Sequence, residues 1–277
     1  MQALWQELTD LVLPGGCAGC GVSRASRRLC ARCRALLGRA VPRPVRPSPV
    51  PDGLPSVHAV LPYADEARAV LLAHKERGAL PLAEPLGRAL AGAVRAAVAG
   101  SGACRPVLLV PVPSARRSVA ARGHDPVRRV ASAAAAALRR AGEPARVLPV
   151  LRQRRKVADQ AGLTAARRAA NLSGALETAP GAARLLSPRA RCRPGGVQPL
   201  VVLVDDLITT GASLAEASRV VTERTGVLPV AAVVAAGVRN HPSRSVVAGG
   251  RVIFARSEVR VSKGCRASST GGTFGEG

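Results

Sequence analysis

The sequence predicts an α/β protein: a parallel sheet flanked by helices, preceded by a small N-terminal module built on four cysteines. Three observations carry this. Short apolar runs alternate with helix-length segments between residues 106 and 236, which is the signature of strands buried on both faces and linked by crossover helices. Cys17 and Cys20 form one C-x2-C pair and Cys30 and Cys33 a second, a spacing that brings four thiolates to the corners of a tetrahedron. The stretch VVLVDDLITTGAS, residues 201–213, runs from an apolar strand through two aspartates into a small, hydroxyl-rich turn.

Residues 1–38 form the cysteine module. The Gly after Cys20 suits a knuckle whose backbone turns with positive φ. Arg24, Arg27, Arg28, Arg32 and Arg34 can offset thiolate charge. The spacing predicts a structural zinc, because four thiolates leave no open position for chemistry; a pair of redox dithiols is the alternative. Residues 39–56 are proline-rich and read as a stiff linker. The main domain follows over 57–240. Its first helix carries Val70, Leu71 and His74 as a buried stripe, and its second Leu82, Leu86, Leu90 and Val94 at four-residue intervals. Strands are expected over 106–113, 146–151, 199–204 and 227–236, and helices over 125–142, 163–172 and 212–226. Residues 179–199 read as a Pro/Gly/Arg-rich loop. Residues 241–277 read as a tail, partly disordered.

Composition narrows the function classes. Of the 277 residues 47% are hydrophobic but only 1% aromatic, so the core is aliphatic and base-stacking platforms are excluded. The formal net charge is +24, nearly all of it from arginine, since Lys75, Lys156 and Lys263 are the only lysines. That charge suits a polyanion such as nucleic acid or a phosphorylated substrate; a GC-rich genome enriches the same residues without any partner. Seven cysteines cannot all pair within the chain. Neither a secretory signal nor a run of roughly 20 apolar residues is apparent, and a cytoplasmic protein is expected.

Residues 201–213 carry the chemistry. In an open α/β sheet, ligands bind beyond the carboxyl ends of the strands. Asp205 and Asp206 stand at such an end and are expected to be exposed in an open site. Thr209, Thr210, Gly211, Ala212 and Ser213 open a helix whose free N–H groups, with the hydroxyls, make a phosphate cradle. Ionised carboxylates accept hydrogen bonds and repel phosphate, so they should face the vicinal hydroxyls of a ribose or a metal-bound water. The plain alternative is an aspartate capping the helix. Walker A and G-x-G-x-x-G patterns are missing from the sequence.

The Asp-Asp stretch resembles the phosphoribosyl-pyrophosphate (PRPP) motif of type I phosphoribosyltransferases. With the four cysteines, HKERG (74–78), VPVPSARRSVAARGHDP (110–126) and ADQAGLTAARRAANLSGA (158–175) in this order, the chain is similar to the competence protein F (ComF) family over about residues 10 to 240. The resemblance implies a type I phosphoribosyltransferase-like sheet. It implies that Asp205 and Asp206 contact the ribose hydroxyls and that Thr209 to Ser213 bind the 5′-phosphate. It places pyrophosphate on the loop holding Pro113, Ser114, Arg116 and Arg117, and makes 152–163 a mobile lid carrying Arg155 and Lys156 as catalytic residues. Lys75 joins the same pocket. The sequence GHDP stands where the family often has an aromatic and an Asn-Gln pair. The implied reaction transfers phosphoribosyl to an unnamed acceptor with Mg²⁺ on the pyrophosphate. The family's link to DNA uptake makes single-stranded DNA a possible partner; the alternative functions are a PRPP-binding module without turnover and a single-stranded-DNA-handling accessory protein.

Overall fold

The computed structural model describes residues 16–99 apart from 24, 26 and 27, then 105–155, 165–186 and 198–237, with the strand residues 245–248 and 251–254. The architecture is mixed α/β. Six strands form the central sheet: β1 (Arg43–Val45), β2 (Val57–Pro62), β3 (Val107–Pro111), β4 (Ala145–Val147), β7 (Leu200–Ile208) and β8 (Val230–Ala236). Their order is β1-β2-β8-β7-β3-β4, and every pairing is parallel except β1 with β2.

Alternate residues feed two cores. Leu109, Val202, Val204, Ala232 and Val234 face the layer of helices α2 (Asp65–Glu76), α3 (Ala83–Val98) and α5 (Pro126–Arg140). Leu108, Val110, Val201, Leu203 and Val233 face α8 (Ala212–Thr225) and its neighbours. This period of two, on strands apolar on both faces, is what a parallel sheet covered by helices requires. Val70, Leu71 and His74 of α2 are buried, and so are Leu86, Leu90 and Val94 of α3. Leu82 is buried in a 3₁₀ turn that leads into α3.

Several boundaries differ from the sequence reading. The proline-rich stretch 39–56 is not a spacer. Its residues Arg43–Val45 form edge strand β1, and Val45 is buried; an edge strand tolerates Pro44 because one side of it needs no donor. Cys17, Leu29, Cys33 and Leu37 belong to the same apolar core as α2 and α3, so the cysteine end and the sheet share one compact unit. Helix α1 (Ala31–Arg39) starts at the second cysteine pair. The expected strand 146–151 is two strands, β4 and β5 (Leu151–Gln153). Pro149, which has no N–H, lies between them. β5 pairs antiparallel with β6 (Leu176–Thr178), outside the main sheet. The strand expected over 199–204 continues to Ile208, because Leu207 and Ile208 still pair with Ala235 and Ala236 of β8.

The other helices are α4 (Arg116–Arg122), α6 (Ala165–Leu172) and α7 (Ala182–Leu186). α7 lies within the segment read as loop, and buries Ala182 and Leu186. Residues 187–197 lie outside the described residues. A second unit, Ser243–Gly277, contains an antiparallel hairpin of β9 (Ser245–Ala248) and β10 (Arg251–Phe254). Sequence reading gave this stretch to the tail, although Gly249-Gly250 between two β-branched runs is a hairpin signal. Among the described residues, no helix is long and apolar enough to cross a membrane.

Candidate functional site

The connections of the sheet run in opposite directions from two neighbouring strands. β3 leads outward to β4, whereas β7 leads the other way to β8. The switch point is therefore between β3 and β7, and crevices at such points receive ligands. β3 stops at Pro111, opposite Val204, while β7 runs on through Asp205 and Asp206. The two aspartates project past the end of their β3 neighbour. The N–H of Val112 still donates to the Val204 carbonyl at 2.9 Å, so Pro113 and Ser114 begin their loop directly beside the pair. Both are half-buried.

Asp206 is buried at 8% exposure and Asp205 is half-buried, which corrects the expectation of an exposed pair. The reason is Lys75. It stands in the last turn of α2, and its Nζ lies 2.7 Å from Asp206 Oδ2. The N–H of Asp206 donates to Asp205 Oδ1 at 2.8 Å. Burial, then the neighbouring Asp206 charge, pushes the Asp205 carboxyl well above its ordinary range, with Lys75 pulling the other way. Burial works against the Lys75 ammonium, but Asp206 and Asp205 outweigh it and raise its pKa.

The last turn of α2 is held firmly. Glu76 accepts two bonds from Arg122 of α4, at 2.8 and 2.9 Å. His74 Nδ1 faces the Ala79 carbonyl and Nε2 the Pro126 carbonyl, both at 3.4 Å. His124 Nε2 faces the His74 carbonyl at 3.3 Å, and the two rings lie 5.9 Å apart. Burial lowers the His74 pKa, and the carbonyls oppose this only in part. Within GHDP, then, His124 braces α2, and Asp125 caps α5 by accepting from the Arg128 N–H at 3.1 Å. Sequence reading missed Glu76, Arg122 and His124 as supports, although all three stand in the quoted stretches.

The turn after β7 contains Thr209, Thr210 and Gly211, and α8 begins at Ala212. Gly211 is the N-cap, with φ +78°, and no side chain caps the helix. The capping alternative for the aspartates therefore fails: they are strand residues. Gly211 is required twice over. Its φ is left-handed, and a Cβ there would press on Leu54 at 3.1 Å and Pro47 at 3.2 Å. The segment before β2 thus packs onto the cradle. A cleft of about 550 Å³ lies between residues 50–53 and the first turns of α8, with Ala212, Ala215 and Glu216 in its wall. Ser213 is half-buried.

The remaining predicted residues divide. Arg116 opens α4, and Arg117 is exposed on it. Arg155 donates to the carbonyls of Asn171 and Ser173 at 2.9 and 2.8 Å, so it ties its strand to the end of α6. Arg152 pairs with Glu177 across β5 and β6 at 2.9 Å. The start of the expected lid is therefore anchored, and residues 156–163, with Lys156, lie outside the described residues.

At the other end of α2, the Sγ atoms of Cys17, Cys20, Cys30 and Cys33 lie within 4.8 Å of one another and could hold a metal ion. Gly21 turns the first knuckle at φ +75°. Cys30 caps α1 by accepting from the Cys33 N–H at 3.4 Å. Burial disfavours a thiolate at Cys17, but the N–H groups of Cys30, Cys20 and Gly19 outweigh it and bring its pKa down to about 6. Burial and the adjacent thiols push the Cys33 thiol up. Four sulphurs this close cannot all ionise unless a cation joins them. Arg32 and Arg34, expected to offset that charge, donate to Glu66 and to the Leu29 carbonyl. Gly19 packs on the first turn of α2: a Cβ there would meet Cys33 Sγ at 2.8 Å and Glu66 at 3.3 Å.

No family model matches this chain, and no curated protein matches it.

Proposed function

We propose that the chain binds PRPP and transfers its phosphoribosyl group to an acceptor, with release of pyrophosphate. The observation that carries this is the arrangement at the end of β7: two adjacent carboxylates at the sheet's switch point, followed by a glycine-turned, uncapped helix start. Asp205 and Asp206 would receive the ribose hydroxyls, and the N–H groups and hydroxyls from Thr209 to Ser213 would receive the 5′-phosphate. Pro113 and Ser114, whose loop starts beside the pair, would meet the pyrophosphate. The bond from the anomeric carbon to pyrophosphate breaks as the bond to the acceptor forms, and the bond electrons leave with the pyrophosphate. Mg²⁺, arriving with PRPP, would neutralise the leaving group. The chain's own task is positioning and charge balance. The cysteine cluster would hold a structural zinc.

A second reading, a PRPP-binding module without turnover, is favoured by Arg155. Its Nη2 donates to two backbone carbonyls, a structural use for a residue expected to face a leaving group. Resemblance to the ComF family adds a role in DNA uptake, and the +24 charge suits weak, salt-sensitive contact with single-stranded DNA.

The test is calorimetry with PRPP and Mg²⁺, paired with pyrophosphate release across bases, amines and single-stranded DNA as acceptors. Release that depends on one acceptor supports transfer. Binding without release supports the module. An absence of PRPP binding overturns both.

A further inference from the structure

Lys75 is the unusual member of the site. It is one of three lysines in a chain dominated by arginine, and it is the cation that meets the diacid. Its helix cannot easily carry it elsewhere. His74 is wedged against the Ala79 and Pro126 carbonyls, and Glu76 is doubly bonded to Arg122. Among the described residues, the charged and titratable groups named beside the last turn of α2 have partners of their own. Glu76 is taken by Arg122 and Asp125 by the Arg128 N–H, while His124 faces the Arg122 and His74 carbonyls. Asp206 is left for Lys75.

The two aspartates are therefore not equivalent. Asp206 meets an ammonium at 2.7 Å. Asp205 meets none in this way: one of its oxygens accepts from the Asp206 N–H, and its carboxyl lies against that of Asp206. We propose that Lys75 is a positioning residue that makes the diacid a pair of unlike groups, a carboxylic O–H on Asp205 beside a carboxylate on Asp206, and so reserves it for a vicinal diol over a bare divalent cation. That the diol is a ribose rests on the phosphoribosyl reading; the role of Lys75 does not.

A divalent ion bridging the two aspartates would need both carboxylates ionised. It would have to expel a proton from Asp205 and an ammonium from Asp206. A diol makes no such demand. One hydroxyl accepts from the Asp205 O–H, and the other donates to the Asp206 carboxylate. The direction of the Asp205 shift, upward through burial and the Asp206 charge, agrees with this division.

The experiment uses the full chain with Zn²⁺ supplied first, so that the cysteine cluster is filled. Mn²⁺ alone is the cation probe, and ¹³C-aspartate carboxyl shifts, assigned with Asp205→Asn, give the titration. The wild type should show no Mn²⁺ broadening at Asp205 or Asp206, and Asp205 should titrate above the ordinary carboxylate range. Lys75→Met should bind Mn²⁺ about tenfold more tightly or better, because removing a unit charge a few ångströms away is a large change in field. Adding Asp205→Asn should abolish that gain, and Lys75→Arg should behave as wild type. Ribose 5-phosphate should bind the wild type without a divalent ion. Equal Mn²⁺ affinity in wild type and Lys75→Met overturns the proposal, as does an Asp205 that titrates in the ordinary range. Should Lys75→Met fail to fold, Lys75→Gln replaces it, and the wild-type titration decides by itself. If ribose 5-phosphate binds neither protein while the Mn²⁺ and titration results hold, the phosphoribosyl reading fails and the role of Lys75 stands.

Discussion

The two ends of helix α2 face the same electrostatic problem and resolve it differently. At its start, four thiol groups are gathered within 4.8 Å, and the neighbouring Arg32 donates to Glu66. At its end, two carboxyl groups are gathered and a lysine of the chain's own is built in at 2.7 Å. The thiol cluster could hold a metal ion from solution, and its occupancy would then answer to metal supply and pH. The diacid carries its cation with it, so its state is set by the sequence.

If the comparison is right, the largest effect comes from the cysteine end. Metal analysis should find one zinc per chain. Cys30→Ser, or stripping the metal, should destabilise the fold strongly, since structural zinc binding is worth on the order of 10 kcal/mol and Cys17 and Cys33 lie in the main core. A thermal melt unchanged by chelation would break the comparison at its root.

At the diacid, function and stability should separate. Asp205→Asn with Asp206→Asn should weaken PRPP binding by about 2–4.5 kcal/mol, roughly 1.5–3 for the charged hydrogen bond to Asp206 and 0.5–1.5 for the neutral one from Asp205, as read by calorimetry. Asp205→Asn alone should be neutral or stabilising to the fold. The folded pKa of this carboxyl is raised, so the native state resists ionisation, and its stability falls as pH rises from the unfolded value near 3.8 toward the folded one. An amide has no such cost, and each kcal/mol relieved is worth about 2–4 °C in melting temperature. A clear loss of stability at pH 7 would show that Asp205 is a structural residue like the cysteines.

The sequence-level argument reached the ends of this comparison but not what joins them. The cysteine quartet and VVLVDDLITTGAS were legible because both rest on short-range spacing. Lys75 is placed in the pocket by the HKERG stretch, but its direct pairing with Asp206 across 131 residues has no local pattern to signal it. Strand β7 was cut short at Val204 because aspartate is a poor strand former; pairing with β8 carries the strand through both aspartates. β1 was hidden by its proline. The resemblance makes Arg155 a catalytic residue of a lid, and the sequence carries no sign that its Nη2 donates to two carbonyls near the end of α6.

Smaller effects refine the picture between the two ends. Burial lowers the His74 pKa, so the unfolded chain takes up a proton first as pH falls below about 6.5. Stability present above that value should then be lost on acidification. Unfolding curves between pH 7 and 5 should slope less for His74→Gln than for the wild type, and equal slopes would place the titration elsewhere. Smallest of all should be Arg32→Ala. The Arg32–Glu66 pair, 2.6 Å long, has an exposed arginine, and exposed pairs contribute about 0.2–1 kcal/mol. A double-mutant cycle with Glu66→Ala gives the value.

Helix α2 also acts as a ruler. Glu66 touches the cysteine module and Lys75 touches Asp206. The nine steps between them cover about 13.5 Å at 1.5 Å each, and two and a half turns at 3.6 residues per turn. The two contacts therefore leave opposite faces of one rod. Inserting or deleting a single residue between them would swing Lys75 by about 100° relative to Glu66, and only one of the two contacts could then survive. Homologous chains that keep both ends of this device must therefore keep the length of α2, whatever else in it they change.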